Sequence, residues 1–113
     1  MNSPFPNTPE FSGALYTPSR VEADVFDLEI EGAVPEAIHG TFYQVSPDPQ
    51  YPPMLGTDIF FNGDAMVSGF YFADGKVSLR RRYVLTDRLV AQRREGRSLN
   101  GVYRNAYTND PLA

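Results

Sequence analysis

One histidine, His39, and no cysteine set the first limits on the chemistry open to these 113 residues. Without a thiol there is no disulfide framework, zinc-thiolate site, iron–sulfur cluster or cysteine nucleophile, and one imidazole cannot complete a metal site that needs two or more. Metal chemistry would therefore need histidines from elsewhere. His39 falls in a turn before Gly40, where a surface position is expected. Asp64 is an acid beside Gly63, yet an aspartate in such a turn is better suited to accepting backbone hydrogen bonds than to moving protons. Arg80, Arg81 and Arg82 could suggest an anion site, but strand alternation sends consecutive residues to opposite faces, so solvated or ion-paired arginines are expected.

The charge balance narrows the partners. Ten basic against fourteen acidic residues give a formal charge of −4, which offers no electrostatic footprint for nucleic acid or anionic lipid. No apolar run approaches the roughly 20 residues of a membrane-spanning helix, and the first ten residues lack the basic flank and apolar stretch of a secretory signal. The expected location is the cytoplasm.

The elements that must position any site are read from proline, glycine and hydrophobic periodicity. Pro4, Pro6, Pro9 and Pro18 divide residues 1–19 into an arm that is expected to hold no helix and to run extended over a neighbouring surface, with Phe5, Phe11, Leu15 and Tyr16 as its apolar anchors. Phe26, Leu28 and Ile30 alternate with Asp27, Glu29 and Glu31, the period of a half-buried strand that Gly32 ends. Thr41 to Val45 reads as a second strand, Pro47, Pro49, Pro52 and Pro53 as a rigid connection, and Ile59 to Phe61 as a further extended run.

Asp74-Gly75 suits the two-residue type I′ turn of a hairpin. Pairing Ala73 with Lys76 sets Phe72 opposite Val77, Phe70 opposite Leu79 and Met66 opposite Tyr83 on one face, broken only where Ser68 meets Arg81. Thr86 can then cap a short helix with Asp87 in its first turn, Arg93 and Arg94 in its last, and Gly96 as its stop. Residues 97–113 show no closing strand or cap. The tally is all-β, several short strands in meander order with one small helix, and it contains no second amphipathic layer to cover the apolar face.

The stretch Gly40 to Pro53, followed by Phe61-Asn62-Gly63-Asp64-Ala65-Met66-Val67, resembles the opening of the carotenoid cleavage oxygenase family. Asp74-Gly75-Lys76-Val77, Arg82-Tyr83-Val84-Leu85-Thr86-Asp87, Glu95-Gly96-Arg97 and Tyr103-Arg104-Asn105 continue it in order, so that it spans roughly Arg20 to Pro111. The motifs Ser46-Pro47-Asp48-Pro49-Gln50, Phe61-Asn62-Gly63-Asp64 and Gly101-Val102-Tyr103-Arg104-Asn105 look most like the stilbene-cleaving lignostilbene dioxygenase branch. Three positions depart from the family pattern: Ala65 and Gln44 stand where glycine and arginine are usual, and Ser68 where histidine is frequent.

The resemblance implies a seven-bladed β-propeller, of which residues 1–19 would be the N-terminal arm and residues 20–113 the truncated first part. It implies an Fe(II) ion held by four histidines downstream of residue 113, with no metal ligand in this chain, and cleavage by O₂ of the conjugated C=C bond of a phenolic stilbene into two aromatic aldehydes. On that basis Tyr103 aligns with the tyrosine that holds the substrate's 4-hydroxyl, and Phe61 with an aromatic that packs on its ring, while a partner lysine would lie beyond Ala113. The expected partners are thus a small phenolic substrate, O₂ and the remaining blades, and this piece alone would be inactive. The alternatives are an apocarotenoid-cleaving dioxygenase of the same family, or a non-catalytic β-rich binding module.

Overall fold

The computed structural model describes residues 5–12, 17–56, 58–59 and 62–113. The chain divides into two compact units, one formed by Val21–Ser46 with Met66–Tyr83, the other by Met1–Arg20, Pro47–Ala65 and Val84–Ala113.

The first unit is a four-stranded sheet. Its strands are β1 (Ala23–Val25), β2 (Gly40–Pro47), β3 (Ala65–Ala73) and β4 (Lys76–Tyr83), in the order β1-β4-β3-β2. β2, β3 and β4 follow one another across the sheet, whereas β1 lies beside β4, so the order departs from the expected meander. The β3–β4 hairpin has the predicted register throughout, from Ala73 opposite Lys76 to Met66 opposite Tyr83. Asp74 and Gly75 have φ of 54° and 74°, the paired positive values that a type I′ turn needs to match strand twist. Met66, Val77 and Tyr83 of this face are buried.

β1 is displaced from the strand predicted at Phe26 to Ile30. It pairs antiparallel with β4, Ala23 to Arg81 and Val25 to Leu79, and ends where Asp27 turns into the left-handed region at φ 59°. The Leu28 amide then donates to the Val77 carbonyl at 2.7 Å, one residue out of the preceding register, as one extra residue in a strand requires. Phe26 is 72% exposed, so the alternation marked an extended segment but not a half-buried strand. At the opposite edge, Phe42, Tyr43 and Val45 of β2 are exposed, with Phe42 6.2 Å from Phe70 and Tyr43 edge-on to Tyr71. A hydrogen bond with Tyr43 raises the Tyr71 pKa above its ordinary value.

Among its described residues the second unit is built from turns and one helix longer than a single turn. Residues Pro9–Ser12 form a single helical turn, α1, where none was expected. Proline is tolerated there because it occupies the first helical position, where its missing N–H would have no partner, and the Phe11 and Ser12 amides donate to the Thr8 carbonyl. Phe5 and Phe11 stack at 5.7 Å and are both buried. The helix α2 (Asp87–Glu95) has its predicted bounds and caps. The Thr86 hydroxyl accepts from the Leu89 amide at 3.1 Å, and Gly96, at φ 71°, donates to the Gln92 carbonyl. Leu89 and Gln92 face inward, Gln92 donating to Asn100 at 3.0 Å. The Asn62 amide donates to the Ile59 carbonyl at 3.1 Å, and the rest of the extended run expected at Ile59 to Phe61 lies outside the described residues. A 3-10 turn, Ala106–Thr108, folds the segment after α2 back on itself.

Candidate functional site

The two proline- and glycine-marked motifs pack on each other in the second unit. The Asp48 amide donates to the Asp64 carbonyl at 2.8 Å, and the Gln50 amide to Asp64 Oδ2 at 3.1 Å. Asp64 thus serves backbone donors, as its turn setting suggested, while its buried Oδ1 has no partner among the described residues. Gly63 is required by this contact: a Cβ there would lie 2.7 Å from Pro49 Cδ and 2.9 Å from its nitrogen. Asp48 in turn accepts from the Ser19 hydroxyl at 2.6 Å and the Arg20 amide at 3.0 Å, which ties down the end of the arm. Ala65, where the family usually has glycine, has no positive φ and opens β3 without backbone strain.

Tyr103 lies in a turn closed by the Asn105 amide on the Val102 carbonyl, with Arg104 at φ 62°. A positive φ at the third of four residues is the type II pattern, normally a glycine or asparagine position, so an arginine there is strained. The Arg104 guanidinium sits 5.9 Å from the centre of the Tyr103 ring, and Tyr103 is 41% exposed. Three consecutive amides are each taken by a side-chain oxygen: Gly101 by Asn109 Oδ1 at 2.8 Å, Val102 by Thr108 Oγ1 at 2.9 Å and Tyr103 by Asp58 Oδ1 at 3.1 Å. The first two bonds are local; the third spans 45 residues of sequence.

Asp58 is the centre of a larger network. Its Oδ1 also accepts from the Ile59 amide at 2.9 Å, and its Oδ2 from Asn62 Nδ2. Asn62 presents its side-chain and main-chain carbonyls to the two terminal nitrogens of Arg88, at 3.0 and 2.7 Å. The carboxylate demands the NH₂ of Asn62 and the guanidinium demands its oxygen, so the amide has one workable orientation. Neither Asp58 nor Arg88 stood out in the sequence. Asp58 reads there as one more loop acid four residues before Asn62, and Arg88 as an ordinary helix arginine. Phe61, the other predicted substrate residue, lies outside the described residues.

Beside the loop is a pocket of about 330 Å³ whose wall includes Asn62, Arg88, Asn100, Arg104, Asn105 and Asn109. Its wall is polar and cationic, unlike the apolar lining that a stilbene skeleton needs. Of the other candidates, His39 is exposed before β2. Arg82 pairs with Asp24 at 2.9 Å and Arg80 approaches the same carboxylate at 3.8 Å, so this pair is held by ordinary ion pairing, which raises the Arg82 pKa. Among the described residues no group of three or more His, Cys, Asp or Glu gathers to hold a metal. Among them, too, no helix is long and apolar enough to cross a membrane.

Residues 16–112 match the family described as retinal pigment epithelial membrane protein. The chain is 50% identical over 106 residues to lignostilbene-α,β-dioxygenase isozyme III of Sphingomonas paucimobilis, covering 94% of this chain and 21% of that protein. It is 46% identical over 109 residues to resveratrol cleavage oxygenase 1 of Aspergillus fumigatus, covering 96% and 22%. It superposes on the crystal structure of Pseudomonas brassicacearum lignostilbene dioxygenase with a TM-score of 0.95 and 84% identity, covering 99% of this chain and 23% of that one. The chain therefore spans about a fifth of the length of the curated relatives it matches. Its four-stranded sheet, with one helix longer than a single turn among the described residues, is part of an all-β propeller of this type. On the family match over residues 16–112 and these identities, the chain belongs to the carotenoid cleavage oxygenase family, that of the retinal pigment epithelial membrane protein.

Proposed function

We propose that this chain is part of an iron(II)-dependent dioxygenase that cleaves the conjugated C=C bond of phenolic stilbenes with O₂, giving two aromatic aldehydes. The observation that carries this reading is the 84% identity to a lignostilbene dioxygenase across 99% of the chain. The family resemblance implies that the iron would be held by four histidines outside these 113 residues, which contain the single histidine His39. The metal supplies the oxygen chemistry; this chain contributes to holding the substrate.

In this reading the Tyr103 hydroxyl binds the 4-hydroxyl of the substrate, together with a lysine outside the chain, and Phe61 packs on the ring. A strong hydrogen bond that draws the phenol proton toward Tyr103 Oη pushes electron density along the conjugated system to the carbon that reacts. The aromatic ring of Phe61 offers a stacking surface and no competing donor.

The test is Tyr103→Phe in the whole protein, assayed on a 4-hydroxystilbene and its 4-methoxy analogue. Loss of a proton-handling contact is expected to lower kcat/KM on the hydroxy substrate by roughly 100-fold, with the methoxy analogue nearly unaffected. An unchanged preference for the hydroxy substrate would remove Tyr103 from the reaction and with it the phenolic assignment. Iron removal by a chelator should abolish both activities, and activity that survives complete removal would sink the dioxygenase reading.

A further inference from the structure

We propose that Asp58 is a positioning residue for Tyr103, its carboxylate fixing the tyrosine's backbone and so the aim of its hydroxyl. The proposal rests on the reading of Tyr103 as the phenol-binding residue. Three facts about the carboxylate support it. Asp58 Oδ1 accepts the Tyr103 amide at 3.1 Å, which ties the tyrosine's main chain to a segment 45 residues away. Asp58 Oδ1 also holds the Ile59 amide at 2.9 Å, so the acceptor is itself anchored to its own turn. Asp58 Oδ2 holds Asn62, whose two carbonyls are gripped by Arg88 of α2, so the carboxylate cannot swing away without breaking that chain.

The other bonds in the loop do not do this job. Asn109 and Thr108 satisfy the Gly101 and Val102 amides from within the same loop, and they would move with it. Asp58 acts from outside, and a hydrogen bond to an ionised acceptor is roughly twice as strong as a neutral one. It also acts where the backbone is strained, next to Arg104 at φ 62°. Without the Asp58 anchor, the turn is free to relax that strain and carry the Tyr103 ring with it. A displacement of about 1 Å of a positioning group can cost on the order of 100-fold in rate.

The experiment compares Asp58→Ala and Tyr103→Phe, singly and combined, in the whole protein, on a 4-hydroxystilbene and its 4-methoxy analogue. Asp58→Ala is expected to lower kcat/KM on the hydroxy substrate by roughly 10- to 100-fold and to leave the methoxy analogue within about two-fold. In the Tyr103→Phe background the same change should add less than about two-fold, because residues acting as one unit are not additive. Equal losses on both substrates, or losses that multiply in the double variant, overturn the proposal and leave Asp58 as fold support alone. If Tyr103→Phe collapses the hydroxy preference and Asp58→Ala does not, only the proposal fails; if Tyr103→Phe leaves the preference intact, the phenol reading itself fails. Should Asp58→Ala not fold, Asp58→Ser carries the comparison. Serine lacks the Oδ1 atom that accepts the Tyr103 amide, so a lowered hydroxy-to-methoxy ratio supports the positioning role and an unchanged ratio overturns it.

Discussion

Thr108 fills the space that a Cβ on residue 101 would need, so Gly101 and Thr108 are in direct backbone-to-side-chain register across the loop that carries Tyr103. A methyl at position 101 would overlap the Thr108 hydroxyl, carbonyl and Cβ together. The threonine cannot yield by changing rotamer, because its carbonyl is main chain and its hydroxyl is bonded to both the Val102 amide and the Asn105 carbonyl.

Gly101→Ala should therefore open this loop. The expected cost is about 1–3 kcal/mol, the range for overpacking a filled site, read as a lower urea midpoint of the whole protein. Faster proteolysis between residues 101 and 109 should accompany it. An unchanged midpoint together with unchanged cleavage would show that the loop does not depend on this close approach.

Thr86→Ala tests the helix start. The alanine leaves the Leu89 amide without its acceptor at the N-terminus of α2, a loss of about 1 kcal/mol. Thr86→Ser keeps the hydroxyl and should recover most of it. Equal stability of the alanine and serine variants would show that the cap contributes nothing here.

At the hairpin tip, Gly75→Ala should cost about 1 kcal/mol, because its φ of 74° places a Cβ against the following carbonyl. The neighbouring protein is not the cause: the nearest atom to such a Cβ, the Val34 carbonyl oxygen, is at an ordinary 3.5 Å. Gly75→Asn, which tolerates the left-handed region, should cost less than alanine in the same melt. The reverse ranking would mean that sterics, not backbone conformation, govern this position.

These contrasts show what was legible in the sequence. The hairpin register, the Thr86 and Gly96 caps and the helix bounds follow from residues a few positions apart, where turn geometry and period leave little choice. The strand near Phe26 was misplaced because alternation records an extended chain but not which part of it finds a partner, and Asp27 in the left-handed region ends the pairing early. The motifs around Asp48 and Asp64 were visible, but their mutual packing through Gly63 and Pro49 was not. Least legible was the Asp58–Tyr103 bond. Nothing in a loop aspartate announces which amide it will meet 45 residues later.

Asp110 gives the segment after α2 a dependence on acid. Its carboxyl is held below the ordinary carboxylate range, chiefly by the Leu112 amide at 2.9 Å and then by Arg97 at 3.0 Å. A carboxylate whose pKa is depressed on folding stabilises in full above the unfolded value and loses that contribution as pH falls through the folded one. The Leu112 amide should thus keep its hydrogen-exchange protection below about pH 4, the ordinary aspartate value, and lose it at still lower pH. In Asp110→Asn the side chain remains neutral, so protection should be weaker at neutral pH and flat across the same range. Protection that falls in parallel in both proteins would assign the acid response to another group, and equal protection of the two proteins at neutral pH would remove the Asp110 carboxylate from the stability of this segment.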